Sequence, residues 1–153
     1  MGNAYSAYII ENGKVYYRID TIPGADAESF LSLDYSWGKD KQMVYYGKMQ
    51  VKDADLATFT TIRNSGFGID KNHIFEYGKI LMDTDGSSFR HCQDVLYIDN
   101  NYAYIIYFGR TYKTPIDGKT FEEVSRDDRK TIYKDKNHTY KYYNREFRKI
   151  EEL

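Results

Sequence analysis

Two strings set an acid, an amine, an amide and an imidazole side by side: Asp70-Lys71-Asn72-His73 and Asp135-Lys136-Asn137-His138. An Asp next to a His can serve general acid–base catalysis, and both side chains can ligate metal ions. The aligned strings elsewhere in the chain carry Met43 and Tyr102 where these two carry His73 and His138. The pattern therefore does not require an imidazole, and a general base needs a partner and a pocket besides. His91-Cys92 is a poor ligand pair, because neighbours on a strand point to opposite faces. Asp83, Asp85 and Gly86 form a fragment of a calcium loop, but the distal Glu that completes such a loop is missing. No phosphate loop, nucleophile elbow or dinucleotide fingerprint occurs. The expectation is a non-enzymatic protein with no catalytic, cofactor or metal residue.

What these strings do instead follows from their recurrence. Glu11, Asp40, Asp70, Asp99 and Asp135 open five similar segments at intervals of 29, 30, 29 and 36 residues. Four residues on comes a small or branched residue (Val15, Val44, Ile74, Ala103, Thr139) and then an aromatic: Tyr16, Tyr45, Phe75, Tyr104, Tyr140. Glycine follows as Gly47, Gly78 and Gly109. A second motif pairs Asp26 with Phe30, Asp55 with Phe59, Asp85 with Phe89 and Asp117 with Phe121. Such regular self-similarity marks a repeat architecture.

Each piece has a local meaning. The leading Asp bonds the backbone two residues on, and Asn suits a left-handed turn position. Val44-Tyr45-Tyr46-Gly47 predicts strand, turn, strand. Asp26 predicts a cap on a single helical turn, with Phe30 placed to plug the core between units. The chain is therefore expected to be all-β: one domain over 1–153, with units beginning near 8, 35, 65, 95 and 131. Each unit would hold about three antiparallel strands and a helical turn, arranged as a propeller-like ring or a twisted meander. The final segment, which lacks the Asp-to-Phe motif, is expected to close or cap the array.

Composition agrees with strands. Tyrosine occurs 17 times and phenylalanine 8 times against 2 prolines, which suits half-buried strands whose hydroxyls reach water. Tyrosine also explains why the mean hydropathy, −0.73, understates the core. With 22 basic and 23 acidic residues, the surface as a whole favours neither nucleic acid nor an anionic membrane. A single cysteine, Cys92, precludes an internal disulfide. The first residues carry no signal-peptide pattern, so a cytoplasmic location is expected, or an exported one if a leader precedes this sequence. Met1-Gly2 with Ser6 matches the myristoylation pattern, a short match that needs a eukaryotic enzyme.

Asp40-Lys41-Gln42-Met43-Val44-Tyr45-Tyr46, Asp70-Lys71-Asn72 and Asp135-Lys136-Asn137, with Gly24-Ala25-Asp26 and the downstream Phe, resemble the bacterial DKNYY family. The resemblance runs from about residue 8 to 143. The first unit departs from the pattern with Glu11-Asn12-Gly13 and the fourth with Asp99-Asn100-Asn101. It implies a repeat fold and a bacterial origin and carries over no activity. Members of that family look like binding or accessory proteins, some exported and some associated with toxin systems.

Two functions are therefore expected, from different classes. One is a protein-binding module, most concretely an immunity protein that neutralises a cognate bacterial toxin by direct contact. The other is a ligand-binding or structural module of a bacterial envelope protein, with sugar or calcium as ligand. For the first, the irregular interval matters. Extra residues fall before and after Phe121, and insertions in repeat proteins project from one face, often the binding face. The second insertion is expected to be a solvated loop offering Glu122, Glu123, Arg126, Asp127 and Asp128 to the partner. Its acids would meet a basic cleft, and reversing Asp127 and Asp128 together should leave the fold intact.

Overall fold

The computed structural model describes residues 6–62, 66–107 and 110–150. Those residues form five antiparallel sheets of three or four strands, each ordered by successive hairpins. The chain is thus all-β and built as a meander of small repeats. Among the described residues no helix is long and apolar enough to cross a membrane. Two compact units divide the chain, Met1–Met82 and Asp83–Leu153.

The first unit holds three sheets. One joins β1 (Tyr8–Glu11), β2 (Lys14–Tyr17) and β3 (Asp20–Thr21). The next joins β4 (Leu31–Ser32), β5 (Trp37–Lys39), β6 (Val44–Tyr46) and β7 (Met49–Val51). The third joins β8 (Thr60–Ile62), β9 (Phe67–Ile69), β10 (Ile74–Glu76) and β11 (Lys79–Ile80). Strand β6 explains the core. Val44 and Tyr45 point to opposite faces and both are buried. Tyr45 packs with Tyr8, Val15, Ile22 and Phe30, while Val44 packs with Trp37, Val51, Phe59 and Phe75. Burial on both faces turns the usual alternation into a short continuous apolar run.

The second unit holds two sheets. The fourth joins β12 (Arg90–Gln93), β13 (Leu96–Ile98), β14 (Tyr102–Tyr107) and β15 (Arg110–Asp117). The fifth joins β16 (Glu122–Arg126), β17 (Thr131–Lys134), β18 (Thr139–Tyr143) and β19 (Glu146–Ile150). Leu96, Ile98, Ala103 and Ile116 from the fourth sheet meet Tyr133, Tyr140 and Tyr142 from the fifth, with Phe121 between them. Phe30, Phe59 and Phe121 therefore act as the expected plugs, each contributing about 1.5–3 kcal/mol by burial.

Two local expectations are corrected. Four sheets hold four strands rather than three, because the residues directly after each Phe pair with the next sheet. In β4 and β8 that added strand is only two or three residues long, too short to show a period in sequence. The Asn of the Asp-Lys-Asn string is not left-handed: Asn72, Asn101 and Asn137 are absent from the positive-φ residues. Left-handed turns occur instead at Asn12-Gly13 and Tyr77-Gly78, two-residue hairpins whose φ values lie between 50° and 80°. Gly47 (φ 57°) makes the equivalent turn after β6, as expected. Gly109, the myristoylation pattern's first five residues and the last three residues of the chain lie outside the described residues.

Candidate functional site

The residues with catalytic chemistry are built into joints. Asp40 sits in the turn between β5 and β6, where its Oδ1 accepts the amides of Gln42 and Met43, both at 2.8 Å. Its Oδ2 accepts the Asp26 amide and the Tyr45 hydroxyl, again both at 2.8 Å. Asp26 in turn accepts Ser29 through backbone and hydroxyl, and pairs with Lys41 Nζ at 2.7 Å. The Ser29 Oγ closes the ring by accepting the Lys41 amide at 3.1 Å. The two sequence motifs are thus one structure, clasping the segment before a sheet to that sheet's central hairpin.

This clasp repeats three times. Asp70 holds the Asn72, His73 and Asp55 amides, with Thr58 and Lys71 in the supporting places. Asp99 holds the Asn101, Tyr102 and Asp85 amides and the Tyr104 hydroxyl, with Ser88 accepting the Asn100 amide. Asp135 holds the Asn137, His138 and Asp117 amides and the Tyr140 hydroxyl, with Thr120 and Lys136 alongside. The supporting residues Ser29, Thr58, Ser88 and Thr120 were not singled out from sequence. A signal for them exists, since a hydroxyl residue precedes every plug Phe.

Charge follows from these bonds. Burial works against ionisation of Asp40 and Asp135, yet amide donations outweigh it and hold both below the usual carboxylate range. Lysine hydrogen bonds, helped by the Ser or Thr hydroxyl, bring Asp26, Asp55 and Asp117 down to about 2. Burial, with the bonded carboxylate second, drives Tyr45 and Tyr104 well upward. Burial followed by the Asp135 charge and its hydrogen bond pushes Tyr140 up to about 12. In every clasp the carboxylate oxygens already accept hydrogen bonds from within the chain.

His73 and His138 sit at the rims of their clasps. His73 Nδ1 lies 3.6 Å from Asp70 Oδ1, outside hydrogen-bond reach, and His138 Nδ1 lies 3.3 Å from the Tyr140 hydroxyl. His91 is exposed and its Nε2 lies 2.9 Å from the Asp94 carbonyl oxygen. Asp83 is tied to Lys113 and Asp85 to Ser87 and Ser88. Among the described residues no three His, Cys, Asp or Glu side chains converge as a metal group.

The insertion after Phe121 is a strand and a tight turn rather than a loop. β16 pairs with β17 through Glu122 opposite Lys134 and Arg126 opposite Thr131, with an irregularity between Glu123 and Ser125. Asp127 Oδ1 accepts the amides of Arg129 and Lys130 at 2.8 and 2.9 Å, and its own amide donates to the Lys130 carbonyl. This is the same turn that Asp40 makes, which is why the segment folds back as a hairpin. Glu122 pairs with Lys134 and Glu123 binds Arg126 through two contacts, leaving Asp128 as the least committed acid. The first insertion lengthens the β14–β15 hairpin, whose strands have six and eight residues.

Two open hollows flank the Asp127–Lys130 tip. One, of about 670 Å³, reaches Lys141 and Tyr143; the other, of about 540 Å³, reaches Gln93, Tyr142 and Arg145. Both lie within the second unit.

Neither a curated protein sequence nor a solved structure matches the chain. A family model does, described as the DKNYY family and matching residues 8–145, the stretch that carries the clasps. The chain belongs to the DKNYY family.

Proposed function

We propose that this chain is a non-enzymatic protein-binding module, an immunity protein that neutralises a cognate bacterial toxin by covering it. The observation that carries this reading is how the polar groups are spent. The repeated Asp, Lys, Ser and Thr side chains that suggest chemistry are engaged in clasps that tie each preceding segment to its sheet's central hairpin. The irregular part of the repeat is the β16–β17 hairpin, whose first strand is exposed at every residue. A repeat that displays one irregular arm suits recognition of a protein surface.

The arm also bears on how a partner would bind. Edge strand β16 carries Glu122, Glu123 and Arg126 and an irregularity at Val124, features that discourage strand addition by another chain. Contact would therefore run through side chains at the hairpin tip. The experiment is capture of partners by the tagged full chain from its native source, compared with a variant lacking the 127–130 tip. A protein retained by the wild type and lost with the tip removed is the expected result. Retention of no protein under native conditions, or turnover of a small substrate by the pure chain, would overturn the reading.

A further inference from the structure

The hollows beside the Asp127–Lys130 tip are lined by a donor without a hydrogen-bond partner and by cations outside ion pairs among the described residues. Tyr142 lines the 540 Å³ hollow, is only 5% exposed, and its hydroxyl has no hydrogen-bond partner among the described residues. A buried hydroxyl left unpaired is costly, so a ligand that supplies an acceptor is favoured there. Burial first, then the nearby Asp94 charge, raises Tyr142 to about 12, which keeps it a neutral O–H donor at physiological pH.

The charges around it are unequally committed. Asp94 is paired with Arg145 at 3.3 Å, and Asp127 is engaged by two amides. Arg129 and Lys130 line both hollows and Lys141 lines the larger, and among the described residues none of the three is in an ion pair. Lys141 lies 5.5 Å from the Tyr143 ring, which is itself half exposed. Exposed Arg and Tyr around a recess are the residues that most often anchor protein interfaces.

We propose that this end of the second unit binds a carboxylate-bearing segment of a partner protein, with an acidic side chain held by the Tyr142 hydroxyl, Arg129 and Lys130. Lys141 and Tyr143 take a neighbouring part of the same segment on the other side of the tip. The proposal rests on the protein-binding reading and deepens it by naming the chemistry of the partner. It inverts the polarity expected from sequence, where the arm's acids would meet a basic cleft, because most of those acids are already paired within the chain. A protein segment fits better than nucleic acid, since Asp94, Asp127 and Asp128 share the lining and would repel a charge at every nucleotide.

The test is titration of the full isotope-labelled chain with a short Glu-Gly repeat peptide at low salt. Parallel arms use an oligonucleotide of equal charge and inorganic phosphate. The expected result is saturable shifts of the Arg129, Lys130 and Tyr142 amides with the peptide, and weaker effects in the other two arms. Tyr142→Phe, which keeps the ring, should weaken peptide binding about 3–10-fold, as loss of one hydrogen bond does. Arg129→Ala with Lys130→Ala should weaken it further while leaving the clasp resonances in place. Absence of peptide shifts, affinity unchanged in these variants, or tighter binding of oligonucleotide or phosphate would each overturn the proposal. A captured partner that binds Tyr142→Phe and the double variant as well as wild type would overturn this site and leave the protein-binding reading standing.

Discussion

Asp40 Oδ2 accepts the backbone amide of Asp26 at 2.8 Å across fourteen residues of chain. This bond ties two sequence motifs together, and it leaves Asp40, 4% exposed, with four donors on two oxygens. Replacing Asp40 by Ala removes a charged acceptor and strands those donors in the interior. A loss of about 3 kcal/mol is expected from urea unfolding with an unchanged slope. A loss below about 1 kcal/mol would mean that the clasp is incidental to stability.

One clasp is incomplete in a way that suggests its own repair. Tyr45, Tyr104 and Tyr140 donate to the clasp aspartates, whereas the equivalent place beside Asp70 holds Phe75. Phe75→Tyr should stabilise the chain by about 1 kcal/mol through the added charge-assisted bond. Thermal unfolding checks it, and a lowered midpoint would show that the ring edge has no room for the oxygen.

The plug rings need glycine beneath them in the first unit. A Cβ on Gly38 would come within 2.5 Å of the Phe30 ring, and one on Gly68 would overlap the Phe59 ring. In the second unit the matching places hold Tyr97 and Tyr133, which stack on Phe89 and Phe121 at 5.4 and 4.5 Å. Gly68→Ala is expected to cost about 1–3 kcal/mol by overpacking. Combining it with Phe59→Leu should cost less than the sum of the two single changes, as coupled neighbours do. Strict additivity in denaturant melts would contradict the contact.

Acid should open the clasps over a defined window. Asp26, Asp55 and Asp117 have folded values of about 2 against an ordinary 3.8, and Asp40 and Asp135 are also depressed. A depressed carboxylate stabilises the fold fully above its unfolded value and ceases to do so as pH falls through its folded one. Stability should therefore be level above pH of about 5 and fall steeply between about 4 and 2. The raised Lys41, Lys71 and Lys136 and the raised clasp tyrosines act in the opposite sense. Their contribution is complete below about pH 10 and lost above it. Circular dichroism across both ranges checks the two limbs. Retained strand signal at pH 2 with full urea resistance would refute the acid limb.

Within the arm, Asp127 and Asp128 should separate cleanly. Asp127→Ala removes the acceptor of the Arg129 and Lys130 amides, so hydrogen exchange at those two positions should accelerate. Asp128→Ala should leave it unchanged. A joint reversal of both acids should therefore loosen the turn as well as change the charge, while the chain stays folded. Equal exchange rates in both variants would show that the turn does not depend on Asp127.

Much of this molecule is local, and local features can be read in a string. Asp40-Lys41-Gln42 closes a turn with its own side chain, Phe30 follows a capped turn at a fixed distance, and Val44-Tyr45-Tyr46 is extended because branched and aromatic residues pack on a sheet. Those properties depend on residues within five positions of each other, so the all-β repeat and its turns were determined by the sequence itself. Contacts that close in space over twelve or more residues were not. The Asp26–Asp40 bond, and Ser29 reaching Lys41, link motifs that look independent on the page. Glu122–Arg126 read as a loop because its polar side chains gave no period, while backbone pairing with β17 and the Asp127 turn made it a strand. Which acids on that arm are spent and which cations remain was settled only by the three-dimensional pairing of side chains. A salt bridge is a distance of a few ångströms, and a list of charged residues contains no distances.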